Sequence, residues 1–415
     1  MAWSVFHPGP ILACALASTR LSRNRDFMLL WSGQALSSVG SAVTRVAYPL
    51  LVLALTDSAA KAGIVGFAHD LPVALLALPA GVLADHMNRK HLLVGCDAVR
   101  AIALAAIPIG LLVGHLPYGV IVAVAAVDGA GWVVSYVGER GVLPQVVAPE
   151  QLREAVARNE SRVFGALMAG PPLGGVLFGI GRVVPFLADV ASYVVSTITK
   201  LLIRTPFQEA RTEASPRDAR EGLRWLWQRP FFRMASLLFL LSNPVFGGLL
   251  LLGVLLAKAH GASSALVGVM LGIAAGGGLV GALLAPRLQR RLTARFVLIG
   301  ENVMLVLTIP LLLLTHNALV IGVVLALAVL ITPVTNSIVV GYRVALTPDR
   351  LQGRVQAAST LISFSAGWLG PLLVGLLVED AGFTATILVL VAWSVVLALV
   401  AAATRSFRHP PTLSG

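Results

Sequence analysis

The sequence predicts an all-α integral membrane protein of twelve transmembrane helices, arranged as two pseudo-symmetric six-helix bundles. Three observations carry this. The 415-residue chain is 57% hydrophobic and 12% charged, where soluble domains average about 45–50% and about 25%. Apolar runs recur over nearly the whole length, each close to the ~20 residues that cross a hydrocarbon core as a helix. One long polar connection, 204–232, divides these runs into six and six.

In chain order, spans are expected at 27–54, 61–84, 91–113, 118–138, 160–181 and 184–203, then at 233–257, 264–285, 296–314, 318–341, 356–378 and 382–404. Gly and Pro inside them are compatible with helix, because neighbouring helices satisfy the backbone groups a kink releases. The domains follow: an extension 1–26, a first bundle 27–203, the connection 204–232, a second bundle 233–404 and a tail 405–415. Within the connection, Pro216 to Gln228 sets Leu223, Trp225, Leu226 and Trp227 beside Arg217, Arg220, Arg224 and Glu221. That mixture reads as an amphipathic helix lying in the interface.

The net charge of +12 sorts by side. Lys61, Arg182 and Lys258 stand on one side, Arg45 lies inside the first span, and the remaining cations border the other. The positive-inside rule then places both termini in the cytoplasm of a cell-membrane protein, so the charge reports topology and nucleic acid is not an expected partner. Residues 1–20 contain Ile11-Leu12-Ala13-Cys14, similar to a lipoprotein cleavage box, but lack a basic start and precede Arg20, Arg23 and Arg25; they read as a cytoplasmic extension. Cys14 and Cys96 are too few for a disulfide framework. The eight histidines form no metal-ligating or catalytic cluster, and no phosphate-binding loop of nucleotide pumps is present. No catalytic residue, metal or cofactor is therefore expected.

An internal repeat supports the division. A shift of 200 superposes Gly81 on Gly281, Gly170 on Gly370, Pro171 on Pro371 and Gly175 on Gly375; a shift of 199 superposes Pro149 on Pro348, Leu152 on Leu351 and Val156 on Val355. Such halves imply a site between them near the midplane. Gly81 to Lys90 (GVLADHMNRK) should pack a helix closely through Gly81, then present Asp85, Arg89 and Lys90 to other helix termini. This loop resembles that of the major facilitator superfamily. The resemblance implies that Asp85 meets the region Gly353-Arg354-Val355 and holds the halves together on the cytoplasmic side. His86 and Asn88 depart from the usual Arg and Gly, and Ala285 replaces the acid in the second half.

Gly170-Pro171-Pro172-Leu173-Gly174-Gly175 is similar to the stretch that accompanies proton-antiport export in that superfamily, where small residues beside a proline bend suit a sliding seam. Four further stretches, beginning at Leu143, Asp189, Glu221 and Gly353, resemble its drug, siderophore and macrolide exporters. The resemblance spans about 22–404. It implies a monomeric proton-coupled antiporter in the lipid bilayer that exports hydrophobic or amphiphilic small molecules such as drugs, antibiotics or secondary metabolites. A siderophore exporter and a transport-dead receptor or scaffold are the alternatives.

Five acids fall inside the spans, where such groups face a cavity or a partner. Asp97 and Arg100, one turn apart, read as an intrahelical pair. Glu301 reads as snorkelling or pairing with Arg295. For Asp189, local hydrogen bonding and proton transfer both stand. Counting at 1.5 Å per residue puts Arg45 and Asp70 at matching depth on consecutive helices, about 14 Å in. That permits an ion pair beside His69, either a permanent brace or a proton-coupling device. Asp128 and Trp132 share a face of span four. With Asn243, Phe246, Thr332, Thr335 and Asn336 they are the candidate cavity residues, a carboxylate beside an aromatic suiting a cationic ligand. Asp128→Asn is then expected to lose drug protection at normal membrane abundance.

Overall fold

The computed structural model describes residues 21–205, 207, 216–348 and 351–408. Fifteen α-helices run through the described residues: α1 Arg25–Thr56, α2 Ala59–His86, α3 Arg89–Val113, α4 Tyr118–Val146, α5 Leu152–Ile180, α6 Val184–Leu202, α7 Pro216–Gln228, α8 Pro230–Ala259, α9 Ser264–Gln289, α10 Ala294–Thr308, α11 Ala318–Val329, α12 Thr332–Leu346, α13 Gln352–Phe364, α14 Leu369–Ala403 and α15 Arg405–Arg408. Residues 1–20, with their cleavage-box resemblance, lie outside the described residues, as does most of 206–215.

Polar residues set the helix starts. Asn24, Ser58, Asn88, Ser263, Thr293 and Asn317 each accept a backbone N–H of the first turn that follows, supplying a donor's missing partner. Asn24 also donates its amide to the Val146 carbonyl at 2.8 Å, so one residue both starts α1 and fastens it to the end of α4. Asp57, in the left-handed region at φ 50°, stops α1.

Eleven helical stretches among the described residues are long and apolar enough to cross a membrane, where the sequence predicts twelve. The difference lies in the last two spans. α13 is short and joins α14 through a turn at 365–368, while α14 runs on through Gly382, whose φ of 79° and ψ of 174° divide it into two arms. The tenth span is also divided, into α11 and α12, at 330–331. The ninth ends in a 3₁₀ segment, Ile309–Leu314.

In the first half α1 packs on α5 and α6, α2 on α4, and α3 on α4 and α6; in the second α8 packs on α13 and α14, α9 on α11 and α12, and α10 on α14. The halves meet where α5 lies on α9 and α2 on α14. Here the repeat takes physical form. A Cβ on Gly170 would strike Ala42 of α1, and one on Gly370 would strike the Pro244 carbonyl of α8. Five residues on, Gly175 abuts Ser264 and Gly268 of α9, and Gly375 abuts Ala59 and Gly63 of α2. Each half thus uses one Gly-Pro helix to grip its own first helix and the second helix of the other half. In lipid, where burial from water drives nothing between helices, such close backbone approach is a main source of association.

Gly81 departs from expectation: a Cβ there would meet open space, whereas its repeat partner Gly281 lies against the Leu330 carbonyl. The side chain of Asp85 lies outside the described ones. Arg89 donates to the Gly141 carbonyl at 2.8 Å, and Lys90 donates to the carbonyls of Leu201 and Ile203 at 3.0 and 2.6 Å, a cation placed at the C-terminal end of α6. Arg354 reaches Glu221 of α7 at 2.6 Å. That helix buries Trp225 and Leu226, lays Gly222 against the Arg354 backbone and takes the Arg229 guanidinium 3.8 Å over the Trp225 ring.

Candidate functional site

Between the halves lies a chamber of about 430 Å³. Most of its wall is apolar, including Met168, Leu250, Val254, Leu271 and Leu279, and its charged groups are Arg45 and Asp70, with the His69 imidazole beside them. Cavities built this way bury a ligand by apolar contact and orient it with few polar groups.

The polar patch continues inward. Arg45 of α1 meets Asp70 of α2 at 3.2 Å, a pair that depth counting permits, with side chains 57% and 31% exposed. The other end of the Asp70 contact is His69, whose Nδ1 lies 2.8 Å from the same carboxylate oxygen. Its Nε2 lies 3.7 Å from Asp128 of α4. Arg100 of α3 donates Nε to Asp128 at 2.8 Å, and the Tyr193 hydroxyl of α6 donates to it at 3.1 Å. Arg100 also donates to Ser41 of α1 at 3.1 Å and lies 4.4 Å from the centre of the Tyr193 ring. Five crossings therefore converge on one chain of charges that runs from an exposed arginine to a sealed one.

The local sequence makes this possible. Asp128 is followed by Gly129, Ala130 and Gly131. Gly129 lies against the His69 carbonyl, and a Cβ on Gly131 would sit 2.7 Å from Cδ of Arg100. Without side chains there, α2 comes close enough for His69 to approach Asp128, and Arg100 lies flat along α4. Once dehydrated, each charge needs its partner: a buried ion without one costs several kcal/mol.

Several sequence expectations require correction. Asp97 and Arg100 do not pair with each other: Asp97 takes Lys200 of α6 at 2.6 Å and Arg100 takes Asp128. Adjacent on one helix, the two diverge to different neighbours. Asp128 and Trp132 do not line the chamber; Asp128 is 2% exposed, turned into the first bundle, and Trp132 stacks on Tyr136 with ring centres 5.2 Å apart. Asn243 donates to the Ser363 carbonyl at 2.7 Å, Phe246 packs on the core, and Thr332, Thr335 and Asn336 are likewise absent from the lining, which takes the neighbouring positions Gly247, Val329 and Pro333. Glu301 is 2% exposed and faces Thr332 and Thr335, not Arg295. Asp189, wholly buried, accepts from Thr44 at 2.6 Å and Ser192 at 3.0 Å. The Arg100–Asp128 contact was open to the same depth count that finds Arg45–Asp70, since each lies about 15–20 Å from the shared end of its helix.

Two repeated bundles around a mostly apolar chamber with an ion-pair chain in its wall define a membrane transporter of the major facilitator type. The chain matches the family described as transmembrane secretion effector over residues 17–414, and it belongs to that family. It is 28% identical to the multidrug efflux pump Tap of Mycobacterium tuberculosis over 392 residues, 89% of this chain and 90% of that one. With macrolide efflux protein A of Streptococcus pyogenes it shares 26% identity over 207 residues, 49% of this chain and 51% of the other. Among solved structures, a bacterial homologue of the iron transporter ferroportin in the inward-facing state superposes with a TM-score of 0.73 at 19% identity, covering 92% of this chain and 99% of that one. A bacterial homologue of the lysosomal transporter Spinster, inward-facing and occupied, does so at 0.73 and 17%, covering 95% and 100%.

Proposed function

We propose that the protein is a proton-coupled antiporter that exports hydrophobic or amphiphilic small molecules across the cytoplasmic membrane, as a monomer with both termini in the cytoplasm. The observation that carries the reading is the polar patch Arg45–Asp70–His69 in a wall that is otherwise apolar. The apolar wall takes the body of a drug-like molecule, and Asp70 attracts a cationic group on it. Protonation of Asp70 removes the charge that Arg45 and His69 answer, releasing the ligand and resetting which arrangement of the halves is favoured. His69 stands between two carboxylates with one ring nitrogen toward each, the placement that lets an imidazole pass a proton. Asp128 would then sense the state of Asp70 without touching the ligand, and Asp189 acts as a local brace between α1 and α6.

The efflux function of the relatives Tap and macrolide efflux protein A supports export. The contacts of Gly175 with α9 and of Gly375 with α2, at the end away from the basic connections, support an inward-facing arrangement with that end closed.

Reconstitution into liposomes with an imposed pH gradient tests the reading. Efflux of hydrophobic cations is expected to follow the gradient and to fall at least about tenfold, some 1.4 kcal/mol of driving interaction, in Asp70→Asn. Efflux at the wild-type rate in that variant removes Asp70 from the coupling. Efflux indifferent to the gradient removes proton coupling altogether, and ligand binding without efflux turns the reading to a receptor.

A further inference from the structure

The second half contains a carboxyl that the chamber network does not use. Glu301 lies midway along α10 and is 2% exposed. It faces the hydroxyls of Thr332 and Thr335, which stand in the first turn of α12, directly after the break in the tenth crossing at 330–331. Thr335 donates to the Ile331 carbonyl at 3.3 Å. The buried Thr332 hydroxyl bonds no group other than Glu301.

No cation answers Glu301 among the described residues. Of the elements packed against α10, helix α11 and the segment Ile309–Leu314 contain no ionisable residue, and α14 contributes only acids, Glu379, bonded to Ser58 and Ala60, and Asp380. α12 contributes Tyr342, packed on Phe231, and Arg343, which bonds Ser359. Arg405 and Arg408 of α15 are exposed, and Arg295 on α10 itself is a turn and a half away. A carboxyl removed from water with no cation opposite it is most stable as the neutral acid, hydrogen-bonded to hydroxyls.

The position links this group to the chamber. Val329 and Pro333, on either side of the break, line the chamber, while Thr332 and Thr335 look the other way toward Glu301. A change of charge behind the broken helix therefore acts on the wall in front of it. We propose that Glu301 is a second proton-binding site, in the C-terminal half, and that its loading state sets the position of the α11–α12 break and so the shape of the chamber. Its consequence for transport rests on the proton-coupled reading above; proton binding itself does not.

Infrared difference spectroscopy of the purified full-length protein, titrated across pH, tests the binding. A protonated-carboxyl C=O band that disappears on alkalinisation is expected in the wild type and in Asp70→Asn, and its loss is expected in Glu301→Gln. Thr332→Val, which removes one hydroxyl and keeps the shape, should shift the band and the pH at which it vanishes, giving a readout even where Glu301→Gln fails to fold. A band unchanged in Glu301→Gln and Thr332→Val overturns the proposal, as does its absence from the wild type. Gradient-driven efflux measured in parallel separates the two readings. Indifference to the gradient ends the antiport reading while the band still decides Glu301; a normal pH profile of efflux in a folded Glu301→Gln ends the link to the chamber.

Discussion

Glu379 accepts a hydrogen bond from the Ser58 hydroxyl at 2.6 Å, joining the second half of the chain to the first residue of the α2 cap. The same oxygen takes the Ala60 amide at 2.8 Å, while Ser58 accepts from the Lys61 amide at 3.1 Å. A carboxylate from one half thus sits at the N-terminal end of a helix of the other, where the unpaired amides and the helix dipole favour negative charge.

If the far end must open during transport, this contact has to break. Glu379→Ala is expected to raise the reactivity of a cysteine placed at Ala60 toward a membrane-impermeant thiol reagent severalfold, with Glu379→Gln intermediate. Equal reactivity in all three would show that Gly175 and Gly375 alone hold the end closed.

Breaking the sealed pair Arg100–Asp128 should be costly. Asp128→Asn leaves the guanidinium buried with a weakened partner, and a loss of about 3–5 kcal/mol of stability is expected for such a break. The sequence suggests a variant of normal abundance; the structure predicts reduced abundance and a lower melting temperature in detergent. Joint replacement, Arg100→Met with Asp128→Asn, should recover much of the loss, and a double variant as unstable as the sum of the singles would contradict the pairing.

His69→Gln keeps a polar side chain of similar reach and removes the imidazole. Efflux is expected to lose most of its response to the pH gradient while ligand binding persists, because Arg45 and Asp70 remain in place. Unaltered gradient dependence, measured in liposomes, would take His69 out of the proton path.

Gly131→Ala should lower stability by about 1–3 kcal/mol, the usual cost of overpacking, since the added methyl meets the Arg100 stem. Gly175→Ala and Gly375→Ala should act differently. Each forces the same kind of seam apart, so slowed transport with greater exposure of the far end is expected from both, read by the same thiol assay. Opposite effects from the two glycines would deny their equivalence.

What sequence could reveal follows from what lies within one helix. Length and hydropathy locate the crossings, and depth counting brings Arg45 to Asp70 because consecutive helices share an end. Rotation about each helix axis is the missing quantity. Asp97 and Arg100 are neighbours along α3, yet which faces meet α6 and α4 decides that Lys200 takes one and Asp128 the other. In helices apolar on every side, hydrophobic periodicity carries little of that information. The same gap misplaces Asp128 and Trp132 into the chamber and gives Glu301 to Arg295. Gly129 and Gly131 are the readable hint, small residues directly after an acid marking where another chain segment presses in.

The repeated Gly-Pro helix belongs to two bodies at once. Covalently, α5 is part of the first half, but Gly175 seats it in α9 of the second; α14 is the mirror case through Gly375 and α2. The halves are therefore geared together rather than laid side by side. If the halves rock during transport, turning α5 against α1 is expected to drag α9, and turning α14 against α8 to drag α2, so that neither seam slips alone. Opening of the far end would then be a single coordinated movement, and a jam at either set of teeth would stop the whole gear train.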